Sequence, residues 1–387
     1  MRIALIARRF DPSGGGTERD LIVTAEYLRA AGHRIVIYAE EVRANQTSFE
    51  VRRVPVPRLG RALRVLRFAQ TAPAIARRDA DLVVSFARTI GADVLRSGGG
   101  AHISYVRAAA RWRGRLGKLA LRLSTYHRMQ IAIERLGFTA AQLRCAIAVS
   151  NFVRDDLIEQ FELTPEKALT LYNGIDLERF RPALDPQERA AIRSRIGVAD
   201  GAPLVAFVGN GFARKGLEFL IRAWPAIGRG ARLLVIGQDR GLPKFRRLTR
   251  RLGVERRIIF VGHRDDTADL LSAADCLALP ALFEPFGNVV MEAMACGLPV
   301  LTSGYVGATE LLPDAMRRFI VANPADPAEI AEKLSELIER LDEFGETVRA
   351  AAAKHTWDDH GRRLIALVES LSETGSSLSG DFRQHPI

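Results

Sequence analysis

Short apolar runs alternate with stretches whose apolar positions recur at helical spacing. RIALIA (2–7), RIVIYAE (34–40), DLVVSFA (81–87), AIAVS (146–150) and ALTLYNGI (168–175) read as β-strands. After the first strand, DPSGGGTERD is a polar glycine-rich loop, and LIVTAEYLRAAGH is the helix that follows. A break comes at DLERFRPALDPQERAAIRSRIGVADGAP, which holds proline and charge and predicts a linker with a short helix. The alternation then restarts. LVAFVG, RLLVIGQ, RIIFVGH, CLALPAL and PVLTS read as strands, and KGLEFLIRAWPAI, FRRLTRRLGV, DTADLLSAAD and NVVMEAMACG as the helices between them. AEIAEKLSELIERL is an amphipathic helix, and a last helix around DDHGRRLIALVESL ends near Ser372.

Strand and helix in strict alternation predict parallel βαβ units. The pattern occurs twice, so the expected fold class is α/β, with two Rossmann-like doubly wound domains in tandem. The expected boundaries are 1–177 for the first domain and 178–356 for the second. The terminal helix (357–373) completes the first, and the polar tail 374–387 is expected to be disordered. Open parallel sheets bind ligands at the carboxyl ends of their strands, so two facing domains predict an interdomain cleft.

Composition narrows the picture. The chain has 387 residues, ample for two cores. No apolar run approaches the ~18 residues of a membrane helix. The opening segment has no signal-peptide cleavage pattern, so a cytoplasmic location is expected. Cys145, Cys276 and Cys296 are scattered among apolar residues, which predicts buried thiols and neither disulfide nor zinc. Formal charge is +11, and it is uneven: from Arg52 to Arg135 there are 18 Lys+Arg against 4 Asp+Glu. Leu, Trp and Phe alternate with arginine there, as in interfacial helices. An anionic membrane surface or phosphorylated lipid therefore fits better than nucleic acid, for which no binding module is present. A solvated helix face is the alternative.

The richest chemistry lies in FEPFGNVVMEAMACGLPV (283–300). Glu284 precedes a Pro-Phe-Gly-Asn turn, and Glu292 sits in the helix that follows. Amides at such a helix start favour an anion. A carboxylate accepts both protons of a vicinal diol. Two carboxylates flanking phosphate-directed amides suit a hexose, a diphosphate and a ribose in series, which is a sugar nucleotide. FVGNGFARKG (207–216) also joins a strand to a helix. Gly209 permits close backbone approach, and Arg214 and Lys215 supply cations for a diphosphate leaving group. Gly14, Gly15 and Gly16 after the first strand predict a third close approach, without the GxGxxG fingerprint of a nicotinamide enzyme. His102 follows a glycine run in RSGGGAHISYV (96–106) and could act on a hydroxyl proton or hydrogen-bond a sugar. Asp79-Ala80-Asp81 spells DxD but precedes a strand, so it reads as a turn, and no metal is expected.

Together these segments resemble the retaining GT-B glycosyltransferases of family 4. The resemblance is carried by the E-x7-E stretch Glu284 to Glu292, by Arg214-Lys215-Gly216, by the glycine-rich first loop and by YNGID (172–176). It implies that Glu284 contacts donor-sugar hydroxyls and Glu292 the ribose. It implies that Arg214 and Lys215 bind the diphosphate, and that amides at Phe286, Gly287 and Asn288 hold the donor sugar or its phosphate. Gly14, Gly15 and Gly16 would approach the donor phosphate and acceptor, and His102 would sit near the reacting carbon. It further implies a nucleotide-sugar co-substrate such as UDP-glucose, no other cofactor, and a lipid-linked saccharide acceptor bound by the first domain. The second domain would bind the donor. Rival readings are another family 4 transferase, a GT-B epimerase or hydrolase, and a non-catalytic sugar-nucleotide-binding partner.

Overall fold

The computed structural model describes residues 1–373, apart from positions 13, 44–46, 58–59, 112 and 200. The expected disordered tail, 374–387, lies outside them. The chain divides into two compact units. One comprises Met1–Asn173 with the segment from Trp357 onward, and the other is Gly174–Thr356. The sequence boundary at 177/178 falls four residues from this division.

In the first unit the chain runs β1 (Arg2–Phe10), α1 (Gly16–Ala30), β2 (Arg34–Val42), β3 (Glu50–Arg53), α2 (Arg61–Ala76), β4 (Leu82–Ser85) and β5 (Val94–Ser97). Three consecutive helices follow: α3 (His102–Arg111), α4 (Arg115–Leu123) and α5 (Thr125–Phe138). Then come β6 (Cys145–Ala148), α6 (Asn151–Phe161) and β7 (Ala168–Thr170). The seven strands pair in the order β3-β2-β1-β4-β5-β6-β7, all parallel. Ile3 and Leu5 stand opposite Ile35 and Ile37, so one face of the sheet presents a continuous apolar surface.

The second unit continues with α7 (Pro186–Arg195), β8 (Leu204–Val208), α8 (Leu217–Ala223), β9 (Arg232–Ile236), α9 (Leu242–Arg251), β10 (Ile258–Gly262) and α10 (Thr267–Ser272). It ends with β11 (Cys276–Leu279), α11 (Asn288–Ala295), β12 (Val300–Ser303), β13 (Ile320–Val321), α12 (Pro327–Glu339) and α13 (Gly345–Ala352). Its six strands are parallel in the order β10-β9-β8-β11-β12-β13. The last helix, α14 (Trp357–Glu373), returns to the first unit. Leu364, Leu367, Val368 and Leu371 join the core built on Ile3, Leu5, Leu21 and Ile37.

Three strands escape the sequence pattern. β3 (EVRR) is a charged edge strand, β5 has four residues and β13 has two, so none makes an apolar run. β7 covers only three residues of the expected ALTLYNGI strand. α1 begins at Gly16, not Leu21, because Thr17 to Asp20 form a polar first turn that periodicity overlooks; Glu18 there suits the positive helix end. α8 stops at Ala223, where Pro225 converts the chain to a 3-10 turn. All three cysteines are buried free thiols.

Candidate active site

In the second unit, four loops at the carboxyl edge of the sheet are tied to one another. The Asp239 carboxylate accepts the Phe212 amide at 2.8 Å, and the Asn210 side chain accepts the Gln238 amide at 2.8 Å. These bonds join the loops after β8 and β9. The Leu282 amide donates to the Arg214 carbonyl at 2.8 Å, which brings in the loop after β11. Glu284 donates its amide to the Tyr305 carbonyl at 2.9 Å, and Ala308 donates to the Phe286 carbonyl at 2.8 Å, which adds the loop after β12.

These ties converge on one carboxylate. Glu284 Oε2 lies 2.7 Å from an Arg214 guanidinium nitrogen and 2.7 Å from Lys215 Nζ. Arg214 also donates to the Phe283 carbonyl at 2.8 Å. The Glu284 side chain is 13% exposed. Burial alone would push its carboxyl up, but Lys215 and Arg214 outweigh this and hold it below the usual carboxylate range. Gly209 makes the arrangement possible. With φ at +130°, a Cβ there would lie 2.4 Å from Lys215 Cε, so any side chain would displace the lysine. Gly287 (φ +92°) caps α11, and Asn288 opens that helix. Glu292 lies inside α11, half-buried. Gly209, Arg214, Lys215, Glu284, Phe286, Gly287 and Asn288 therefore share one sheet edge, the cations and Glu284 are in direct contact, and Glu292 stands farther along α11.

The first unit has its own site at the corresponding edge. A cavity of about 540 Å³ is lined by Arg8, Arg9, Glu18, Arg88, Gly98–Gly100 and Glu134, among others. Gly15 caps α1 and Gly16 opens it, so the triple glycine starts the helix as well as leaving the strand. Arg9 pairs with Glu18 at 2.9 Å, Arg8 with Glu40 at 2.6 Å, and Arg88 with Glu134. Beneath them, buried Arg96 pairs with Asp20 at 2.5 Å and donates to Asn173 at 2.9 Å.

His102 opens α3 and is buried. Its amide donates to Glu134 Oε2 at 2.7 Å, and its Nε2 lies 2.9 Å from His127 Nδ1, with the two rings stacked. Burial, then Arg88 and His127, push the His102 imidazole down to about 3, so it is neutral at physiological pH. Asp79 and Asp81 lie at the opposite edge of this sheet, where Asp79 pairs with Arg52 at 2.5 Å and Asp81 accepts the Arg2 amide at 2.7 Å.

Known proteins match the chain at both sheets. Residues 14–179 match Glycosyltransferase Family 4, and residues 202–340 match Glycosyl transferases group 1. The chain belongs to glycosyltransferase family 4. It is similar to the lipopolysaccharide glucosyltransferase WaaG of Escherichia coli (strain K12), at 29% identity over 342 residues, covering 86% of this chain and 88% of that protein. The crystal structure of WaaG, a glycosyltransferase involved in lipopolysaccharide biosynthesis, superposes with a TM-score of 0.75 at 27% identity, covering 94% of this chain and 95% of that one. A GDP-mannose-dependent phosphatidylinositol monomannoside mannosyltransferase of Corynebacterium glutamicum is 33% identical over 216 residues, about half of each chain. The fold is thus GT-B and the activity glycosyl transfer.

Several side chains that shape these family 4 sites were not legible in the sequence. His127 and Arg88 lie far along the chain from His102, and no spacing links them. Glu134 did leave a signal: between Asp93 and Glu134 the chain has no acidic residue at all. A lone carboxylate in so basic a stretch marks an ion-paired position. Asp239 and Asn210 gave no signal beyond lying in strand-to-helix loops.

Proposed function

We propose that this chain transfers a hexose, with glucose the best-supported choice, from a UDP-linked donor to a lipid-linked saccharide such as a lipopolysaccharide core, with retention at the anomeric carbon and without a metal ion. The observation that carries the donor half is the contact of Arg214, Lys215 and Glu284 at one sheet edge. A buried lysine and a half-buried arginine suit a diphosphate and stabilise it as charge develops on the departing nucleotide. Released from them, Glu284 accepts hydrogen bonds from donor-sugar hydroxyls. Glu292 takes the ribose, and amides at Phe286, Gly287 and Asn288 take the donor. The similarity to WaaG supports glucose and the lipopolysaccharide acceptor; the mannosyltransferase likeness makes GDP-mannose the second donor to test.

On the acceptor side, the cavity of the first unit presents paired arginines and carboxylates, a lining suited to hydroxyls of a saccharide. Gly14, Gly15 and Gly16 let backbone approach the donor phosphate and acceptor. His102 is neutral and already bonded to His127, so it serves as a hydrogen-bond partner near the reacting carbon. It is too weak a base to take a hydroxyl proton at pH 7, and the departing phosphate takes the acceptor proton on the same face.

Membrane docking through the Arg52–Arg135 region has a specific support. On α4, Leu116, Leu119 and Leu123 are 84%, 53% and 66% exposed beside Arg115, Lys118 and Arg122. Such a face suits the interface of an anionic bilayer, and we place the protein at the cytoplasmic face of the membrane. Trp112 and Arg58 of that region lie outside the described residues. No described helix is long and apolar enough to cross a membrane.

Calorimetry with UDP-glucose, UDP-galactose, UDP-N-acetylglucosamine, GDP-mannose and ADP-glucose tests the donor reading. Tight binding of UDP-glucose, lost in Glu292→Ala, is expected. Binding of another donor would change the sugar, and binding of none would sink the reading.

A further inference from the structure

The second unit carries a basic surface that donor binding does not use. From Arg229 to Arg257 the sequence holds ten Lys+Arg against Asp239 and Glu255. α9 buries Phe245, Leu248 and Thr249 and turns Arg246, Arg247, Arg250 and Arg251 to solvent. These four stand as two i,i+4 pairs of like charge, an arrangement that destabilises a helix. Among the described residues, no carboxylate pairs with any of them. Exposed arginines elsewhere do find partners: Arg317 reaches Asp314 at 2.9 Å and Arg264 reaches Asp266 at 2.6 Å. The two nearby acids do not compensate, because Asp239 is taken up by the amides of Phe212 and Gly241, and Glu255 makes no ion pair among the described residues.

We propose that the outer face of α9 is a second anionic-lipid contact, made by charge without insertion. The guanidinium fork matches a phosphate headgroup, and four forks in two adjacent rows on one helix present a cationic face to it. No large apolar side chain is exposed on α9, in contrast to α4, so nothing on this face enters the acyl region. Of the rings beside the arginines, Phe245 is buried and the half-buried Phe260 already has Arg246 over its face at 5.9 Å, so neither is fully exposed to stack a nucleic-acid base. The contact lies on a different unit from α4 and does not depend on which sugar is transferred.

Co-sedimentation of the full chain with two vesicle types tests it: phosphatidylcholine alone, and phosphatidylcholine mixed with phosphatidylglycerol. A variant with Arg246, Arg247, Arg250 and Arg251 all changed to Gln is compared with Leu116→Ser/Leu119→Ser. The arginine variant should lose about tenfold or more in affinity for the anionic vesicles at low salt, with the loss vanishing at high salt. The leucine variant should lose binding at both salt concentrations. Circular dichroism and donor calorimetry on the same samples separate this outcome from misfolding and from failure of the transfer reading. If the quadruple variant does not fold, Arg247→Gln/Arg251→Gln is held to the same criterion, at about fivefold. Wild-type binding by the folded variant overturns the proposal, as does an arginine-dependent gel shift of duplex DNA without any vesicle binding.

Discussion

The two sheet edges solve opposite electrostatic problems. In the second unit, charge is concentrated: two cations share one oxygen of Glu284, so the trio keeps a net positive charge when no ligand is bound. In the first unit, charge is balanced: Arg8 and Arg64 meet Glu40 and Glu41, Arg9 meets Glu18, and Arg88 meets Glu134 beside the neutral His102 imidazole. A cluster with an unbalanced charge selects a ligand by its own charge. A set of charges that balances selects by the geometry of hydroxyl groups. Under the proposed function, the concentrated edge suits a diphosphate and the balanced edge a saccharide.

The strongest way to break this contrast is to remove the charge from the concentrated edge. Arg214→Ala/Lys215→Ala should lower affinity for a nucleoside diphosphate by about a hundredfold or more, since each charge-assisted bond contributes roughly 1.5–3 kcal/mol. Calorimetry checks this, and unchanged affinity would refute the assignment. Next comes Glu284→Gln. It removes the counter-charge and leaves both cations in place, so transfer should fall about a hundredfold while affinity for the bare diphosphate holds or rises. Weaker diphosphate binding would mean that Glu284 is needed simply to keep the cations in position.

The balanced edge should respond more gently. His127→Phe keeps a ring against His102 but withdraws its hydrogen bond, and should lower the transfer rate about tenfold with donor affinity unchanged. A parallel loss of donor affinity would show that the two edges are not separable in this way.

The smallest effect is on stability. The His102 imidazole is held down to about 3 and that of buried His360 to about 4, both chiefly by burial. An unfolded histidine takes up a proton near 6.5 and these do not, so the unfolded chain binds more protons as pH falls. Their contribution is complete above about pH 6.5 and is lost progressively toward pH 3 to 4. Thermal melts at pH 7 and pH 5 should show a drop that His102→Asn reduces; an equal drop in that variant would place the pH dependence elsewhere.

Much of this was written plainly in the chain. The apolar runs that became β1, β2, β8 and β9 were long enough to declare themselves, and Gly209, Arg214, Lys215 and Glu284 lie in loops whose flanking strand and helix were both clear. What stayed hidden depends on distance in sequence. β3 and β5 are strands because neighbours offer them hydrogen bonds, not because of their own composition. His127 matters only because α5 carries it back to α3. The Glu284 tether was also illegible: the sequence suggested two open carboxylates, and the fold places one of them between two cations.

The return of α14 to the first unit sets an order of events during synthesis. The second unit is one continuous stretch and has all its core residues once position 356 has emerged. The first unit is made earlier but does not have Leu364, Leu367, Val368 and Leu371 until the whole second unit has been made. Until then its sheet has an uncovered apolar groove beside α1. The half of the molecule translated first is therefore completed last, and a nascent chain cut short before α14 would expose that groove to chaperones and proteases.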